Sequence, residues 1–170
     1  MDVFMRMLSV RLLLLCLVVA ITAPVSAREL VGWAEMAVIH PGNLSIRAKI
    51  DTGAKTSSLN CECHDIYEKD GEQWLRFSVD SHDGTLLRLD RKVHRFANIK
   101  RHFGGIQERP VIMLGICLGG VYRETEVNVI DRSGLDFPLL IGRQFLEEKF
   151  LVDAGTRYIN PPHCDINLEK

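Results

Sequence analysis

Turn signals divide this sequence into short extended segments, and their spacing limits the folds that are open to it. Gly- and Asp-containing turns recur about every eight to twelve residues, between segments that alternate apolar and polar side chains. Residues 44–51 (LSIRAKID) alternate most clearly, and 111–133 predict two strands about a Gly119-Gly120 turn. We also expect a strand over 29–39 (ELVGWAEMAVI), a hairpin turn at 69–72 (KDGE) and a final hairpin over 150–160 (FLVDAGTRYIN). Apolar residues fall at helical spacing only in 143–150 (RQFLEEKF). We therefore expect an all-β barrel or sandwich with one short C-terminal helix.

The length and the overall charge fit one ordinary domain. The chain has 170 residues, which is enough for one domain and hardly for two. Its formal net charge at pH 7 is -1. Such a balance offers neither the basic groove of a nucleic-acid-binding protein nor a polybasic patch for a membrane surface. We expect no nucleic-acid partner.

The first 27 residues have the layout of a secretory signal peptide. A region with two arginines precedes an apolar run at 12–21, and small residues follow up to Ala27. The run is too short for a comfortable membrane span, although an uncleaved anchor is the alternative. We predict a signal peptide at 1–27 and one domain at 28–170. The product would be periplasmic or secreted, without a stable membrane span after cleavage.

Four cysteines remain in the predicted mature chain: Cys61, Cys63, Cys117 and Cys164. In an oxidising compartment they could form disulfides, with three possible full pairings. A bond between Cys61 and Cys63 would be badly strained. If bonds form, we expect one of these two to reach Cys117 or Cys164; free buried thiols are the alternative.

Residues 49–59 (KIDTGAKTSSL) raise the question of whether Asp51 is a catalytic carboxylate or only the polar start of a turn. Turns rich in Asp, Thr and Gly are common. Two later segments bear on the answer. Residues 138–150 (PLLIGRQFLEEKF) join an apolar strand to a helix through a glycine, and 103–106 (FGGI) form a glycine-tipped loop between the two segments.

These three segments, in this order, resemble the active-site loop, the flap and the second signature element of retropepsin-like aspartic peptidases. With ERPV at 108–111 and DRS at 131–133, they are similar to a bacterial group of that family often labelled ATP-dependent zinc proteases. The resemblance covers roughly 31–159 and implies a closed six-stranded barrel. The sequence contains neither the HExxH zinc motif nor the GxxxxGK[ST] phosphate loop. We expect no cofactor.

The resemblance implies an endopeptidase in which two carboxylates share one proton. One carboxylate deprotonates a water while the other donates to the peptide carbonyl. Because the chain has a single Asp-Thr-Gly, a homodimer would supply Asp51 from each subunit. Thr52 would hold the two loops together, and Gly53 would let the backbone turn close to the water. Activity should rise at mildly acidic pH.

The same resemblance assigns roles to residues around the loop. Ala54 would line the substrate site, and Gly104 and Gly105 would let the flap bend over a peptide or protein substrate. Gly142 would let the apolar strand approach the loop without a Cβ in the way, and Arg143 would be structural.

Two other classes of function stay open on these residues. One is a non-catalytic peptide- or cell-wall-binding module on the same barrel. The other is a zinc-dependent hydrolase that uses 61–64 (CECH) with His163 and Cys164. We expect no metal, because this spacing is not that of a standard zinc site. Asp153, in VDAG, is interpreted as a turn residue and not as a second catalytic acid.

Overall fold

A computed structural model describes residues 27–164 except 82, 101–103 and 133, and omits the side chains of Cys63, His64 and Lys100. Apart from Ala27, the predicted signal peptide lies outside the described residues. Among the residues described, no helix is both long enough and apolar enough to cross a membrane.

The described chain is built mainly of strands. In chain order the elements are β1 (Glu29–Gly32), β2 (Ala34–His40), β3 (Leu44–Ile50), β4 (Ser57–Asn60), β5 (Glu62–Lys69), β6 (Glu72–Asp80), β7 (Leu86–Lys100), β8 (Ile106–Leu118), β9 (Val121–Ile130), β10 (Leu139–Ile141), α1 (Arg143–Leu146) and β11 (Phe150–Asp153).

Six of these strands close into a barrel, in the order β2-β3-β10-β4-β9-β8, with β8 pairing back onto β2. The closing pair is antiparallel and sets Val38 opposite Cys117 and His40 opposite Gly115. Strand β10 is inserted between β3 and β4, parallel to the first and antiparallel to the second. The predicted closed six-stranded barrel is confirmed.

The barrel core follows the alternation seen in the sequence. In β3, Leu44, Ile46, Ala48 and Ile50 are buried and the residues between them are exposed or half-buried. An antiparallel strand with one buried face shows this period of two. Strand β10 has no exposed residue on either face, and strands pair along both of its edges. Burial on both faces fits its continuous apolar sequence.

Beyond the barrel, the sheet continues from β8 through β7 and β6 to β5. The predicted hairpin after Lys69 is confirmed, with Asp70 and Gly71 at positive φ between β5 and β6. Strands β7 and β8 form a long hairpin, and Gly104 and Gly105 at its end have φ values of 87° and 86°. The segment 60–100 therefore adds strands to one end of the barrel sheet.

The strand predicted over 29–39 divides into β1 and β2, which belong to different sheets. The break is at Trp33, whose backbone N–H donates to the Thr156 carbonyl at 2.9 Å. A Cβ on Gly32 would lie 2.4 Å from that same carbonyl oxygen. This close approach of the C-terminal segment separates the two strands.

Two predictions near the C-terminus are wrong in detail. The helix expected over 143–150 ends at Leu146, because Glu147 leaves helical geometry and Glu148 has a φ of 66°. The expected final hairpin is absent, since β11 pairs in parallel with β1. The chain after β11 is held instead by the fully buried Glu35 carboxylate, which accepts from the N–H groups of Ile159 and Asn160, both at 3.3 Å.

The disulfide pairing differs from the expected one. Cys117 and Cys164 bond to each other with a Cα–Cα distance of 5.9 Å, so neither is available to Cys61 or Cys63. Cys61 is also disulfide-bonded. Cys164 reaches Cys117 because the C-terminal segment runs across the Gly119–Gly120 turn, where the His163 N–H donates to the Gly119 carbonyl at 2.8 Å.

Replacing Cys117 and Cys164 together by Ser is expected to lower the free energy of unfolding by about 2–4 kcal/mol. The bond links residues 47 positions apart, so its loss frees a long loop in the unfolded chain. Urea unfolding of the full chain measures the change. Cys164→Ser alone should match the double variant, because either change removes the bond. An unchanged unfolding midpoint would contradict this expectation.

Candidate active site

Asp51 begins a tight turn directly after β3. Its backbone N–H donates to the Ile141 carbonyl at 2.9 Å, which ties the turn to the end of β10. Its Oδ1 accepts from the N–H groups of Gly53 at 2.9 Å and Ala54 at 3.1 Å. The half-buried carboxylate is thus oriented through one oxygen. Asp51 is a turn residue as well as a candidate catalytic acid.

Arg143 and Gly142 join α1 to this loop. The Arg143 guanidinium donates to the carbonyls of Thr52 at 2.9 Å and Gly53 at 2.8 Å. The backbone N–H of Arg143 donates to the Ala54 carbonyl at 2.9 Å. A Cβ on Gly142 would lie 2.8 Å from the Lys55 carbonyl oxygen. The backbones touch at this point, as the predicted role of Gly142 requires.

Thr52 and Gly53 lie on the exposed side of the loop, where a second subunit could reach them. Asp153 makes a turn of the same kind at the end of β11, with its Oδ1 accepting from the Gly155 N–H at 2.8 Å. The two Asp-x-Gly segments therefore share a local conformation, although only the first is bonded to β10 and α1 in the contacts described above.

Two arginines that the sequence reasoning did not single out are connected with Asp51, Arg132 directly and Arg109 through Arg132. Burial and the charge of Arg109 lower the pKa of the half-buried Arg132 guanidinium, whereas the Asp51 charge raises it. Arg132 thus interacts electrostatically with both groups. The Arg132 backbone N–H donates to the Asn60 side-chain oxygen at 2.5 Å, which fixes the segment after β9. Arg132 therefore places a cation close to the Asp51 carboxylate.

Asn128 is a second feature that sequence reasoning missed. It is 5% exposed on β9, and its side chain bonds to Ser57 and Ser58 on β4 and to Arg109 on β8. An amide within the apolar run VNVI (127–130) was the available signal. A buried polar side chain is normally retained only with partners, so its position suggested a network.

Gly104 and Gly105 lie exposed at the end of the β7–β8 hairpin. A Cβ on either glycine would meet no described atom within 4 Å. Both glycines therefore stand clear of the other described atoms. The flap role of these glycines stays a prediction.

Two of the three cysteines considered as zinc ligands, Cys61 and Cys164, are in disulfides, and a disulfide sulfur is not a thiolate ligand. Across the described side chains, no group of three or more His, Cys, Asp or Glu residues is arranged to hold a metal ion. The side chains of Cys63 and His64 lie outside that description.

Comparison with known proteins agrees with the barrel and the loop. Residues 30–163 match the family model for the RimB-like retropepsin-like aspartic endopeptidases. The chain is 31% identical over 129 residues to a Shewanella halifaxensis protein named "Probable alpha-L-glutamate ligase", and 28% identical over 116 residues to a Desulfotalea psychrophila protein of that name. These alignments cover 74% and 66% of the chain but only 28% and 25% of the two relatives.

A solved structure also matches. The crystal structure of Lpg0085 from Legionella pneumophila, a protein of unknown function, superposes with a TM-score of 0.65 at 30% identity. The superposition covers 78% of this chain and 98% of that one. The family model spans well over half of the chain and includes the Asp51 loop and Gly142. The chain belongs to the RimB-like family of retropepsin-like aspartic endopeptidases.

Proposed function

We propose that the protein is an aspartic endopeptidase in which Asp51 from two copies of the chain activates a water against a peptide bond. The observation that carries the proposal is the Asp51 turn, whose carboxylate is oriented by two backbone N–H groups and braced by β10 and α1. A fixed carboxylate close to a second one can share a proton with it. Such a pair can act as general base and general acid in one step.

The exposed loop supports a dimer. Thr52 and Gly53 face solvent in the single chain, and their carbonyls are already held by Arg143. Two such rigid loops could meet across a two-fold axis without rearranging. In that assembly, Asp51 would face Asp51 of the partner subunit.

We further propose that the substrate is an acidic, glutamate-rich peptide. Arg132 is close enough to Asp51 for the carboxylate charge to raise its pKa, so a guanidinium lies beside the proposed catalytic group. Arginine is well suited to bind carboxylates, since its guanidinium can donate two parallel hydrogen bonds. The name of the Shewanella and Desulfotalea relatives, "Probable alpha-L-glutamate ligase", supports the same choice, because it names glutamate as the group that is joined.

The signal-like N-terminus supports a location outside the cytoplasm, in the periplasm or beyond. The Cys117–Cys164 bond fits such a compartment, because disulfides persist where the environment is oxidising. Mass spectrometry of the exported protein tests this part of the proposal. A mature chain that begins at Arg28 is the expected result, and an intact N-terminus in the cytoplasm would overturn it.

The oligomeric state tests the paired-carboxylate part of the proposal. Sedimentation of the protein at several concentrations, at pH 5 and pH 7 and with a glutamate-rich peptide present, should detect a dimer. Cleavage should be fastest at mildly acidic pH, where the pair holds one proton. A strict monomer under all these conditions, or a flat rate between pH 4 and pH 8, would contradict the mechanism.

Arg132→Gln is expected to reduce kcat/KM for a glutamate-rich peptide by about tenfold or more, because a charge-assisted contact to the substrate is lost. The wild type should cleave the same peptide poorly when glutamine replaces glutamate. Arg132→Gln should change kcat/KM for that glutamine peptide only slightly. Arg76→Gln is the matched control, since Arg76 is exposed and paired with Asp90 at 3.0 Å. Equal losses on both peptides would contradict the assignment of Arg132 to selectivity.

A further inference from the structure

An open cavity on the outside of the barrel brings two guanidinium groups and a phenol together. It has a volume of about 490 Å³ and is lined by Met36 on β2, Arg47 on β3, and Arg157 and Tyr158 in the segment after β11. None of these lining residues is an acid, and across the described part of the chain neither arginine forms an ion pair. The neighbouring Glu35 carboxylate instead accepts three backbone N–H groups.

Arg47 forms the inner wall of this cavity and is half-buried. Its guanidinium carbon lies 6.0 Å from the centroid of the Phe137 ring, and that ring packs edge-on against Trp33 at 5.7 Å. The Arg47 Nε is buried and has no hydrogen-bond partner among the described residues. Because a cation that is partly withdrawn from water without a counter-charge is costly, an anion in the cavity would stabilise this arrangement.

The segment that carries Arg157 and Tyr158 lies tightly against the sheet. The Tyr158 N–H donates to the Ala34 carbonyl at 2.8 Å. A Cβ on Gly32 would lie 2.7 Å from the Arg157 Cα, so the segment can approach this closely only at a glycine. Tyr158 has a φ of 55°, in the left-handed region that bulky residues rarely adopt, and such strained residues cluster at ligand sites. The backbone thus presents Arg157 and Tyr158 to Arg47 in a fixed position.

Lys49 extends the positive charge of β3 toward Asp51. Arg47 and Lys49 lie on the outer face of the strand, because the residues that alternate with them are buried. Lys49 is exposed, and no ion pair involves it in the parts of the chain that the structure describes. Four residues of extended chain, or about 13 Å, separate Arg47 from Asp51. An extended peptide of five or more residues is long enough to span this distance.

We propose that Arg47, Arg157 and Tyr158 form a second binding site for carboxylate groups, which holds an acidic peptide at a distance from the bond that is cleaved. The two guanidiniums donate to carboxylate oxygens, and the Tyr158 hydroxyl adds a further donor. The inference deepens the peptidase function proposed above and rests on it for the identity of the ligand. Because this site does not touch the reacting bond, it contributes affinity and a preference for longer acidic chains.

Binding to the Asp51→Asn protein tests the site without cleavage. Calorimetric titration with a peptide of glutamates that is long enough to span both sites should show an affinity about tenfold lower in Arg47→Gln and in Arg157→Gln, because each change removes a charge-assisted contact. Arg88→Gln is the matched control, since Arg88 is exposed and shares its cavity with Asp65 and Asp90. The control should bind as the parent does. Equal affinities in the parent and both cavity variants would overturn the proposal.

Two further arms make this titration specific. Arg157 is exposed, so Arg157→Gln tests the site even if Arg47→Gln fails to fold. Arg47→Lys keeps the charge but loses the planar fork and should bind with an intermediate affinity. Inorganic phosphate is the competing probe, because it shares the chemistry of a carboxylate. If phosphate binds to the parent and not to Arg157→Gln, while the glutamate peptide binds equally to both, the assignment to carboxylates is wrong.

Cleavage kinetics separate this site from the Asp51 loop. On the long glutamate peptide, Arg157→Gln should raise KM about tenfold and change kcat less than about twofold, since Arg157 does not touch the reacting bond. On a peptide with glutamates only at the two residues beside that bond, the rise in KM should disappear, because the acidic part is too short to span about 13 Å. If the wild type cleaves nothing but binding still falls in both cavity variants, only the peptidase function fails. If cleavage occurs and both variants keep the wild-type KM on the long peptide, the second site is wrong.

Discussion

Asp51→Asn is expected to abolish peptide cleavage and to leave the barrel folded. The asparagine oxygen can still accept from the Gly53 and Ala54 N–H groups, so the turn survives. An amide cannot take a proton from water, and general acid–base catalysis contributes about 10²–10⁴ in rate. We expect a loss of at least about a thousandfold, because a dimer loses both carboxylates together. Product analysis by mass spectrometry and thermal unfolding measure the two outcomes.

Asp153→Asn is the matched control for this variant. It makes the same chemical change in the same kind of turn, where Asp153 accepts the Gly155 N–H at 2.8 Å, and activity should be unchanged. Retained cleavage in Asp51→Asn would rule out the paired-carboxylate mechanism. If neither the wild type nor the variant cleaves, but both bind a glutamate-rich peptide, the protein is instead a binding module on the same barrel.

The strands could be predicted because their local sequence reflects which faces are buried, whereas the closed barrel, as opposed to a sandwich, was implied by the family resemblance. The alternation in 44–50 reports one buried face, and the apolar run in 139–141 reports a strand covered on both sides. The end of α1 and the missing hairpin after β11 could not be predicted in this way. Both depend on tertiary contacts, such as the amides held by the buried Glu35 carboxylate, which lies 124 positions before Ile159.

The residues of the candidate site also differ in how far the sequence could indicate them. Asp51 and Gly142 belong to segments whose local sequence is distinctive, and the structure places their backbones side by side. Arg109 and Arg132 lie in ERPV and DRS, two segments that support the family resemblance, and Asn128 is an amide in an apolar run, but these segments do not indicate which partners the three side chains meet. Arg109 and Asn128 come together only because β8 pairs with β9, and Arg132 follows that strand. The family resemblance therefore indicated the Asp51 loop but not the charges around it.

Gly142→Ala is expected to cost stability and most of the activity, although it adds only one methyl group. The new Cβ would lie 2.8 Å from the Lys55 carbonyl oxygen and 2.8 Å from the Thr56 carbonyl carbon, and both are backbone atoms. Overpacking of this kind costs about 1–3 kcal/mol. Because the adjoining Ile141 carbonyl accepts the Asp51 N–H, relief of the clash must displace the loop that holds the carboxylate.

Gly120→Ala separates this specific contact from the general effect of replacing a glycine in a strand-rich protein. Its Cβ would come no closer than 3.5 Å to a neighbouring atom, the Nε2 of His163, so stability and activity should stay near wild type. Urea unfolding and kcat/KM on the glutamate-rich peptide compare the two variants. If Gly142→Ala unfolds at the wild-type midpoint and cleaves at the wild-type rate, close contact between β10 and the Asp51 loop is not what positions the carboxylate. If it is destabilised but fully active, the contact supports the fold alone, and the geometry of the catalytic pair must be set across the dimer axis.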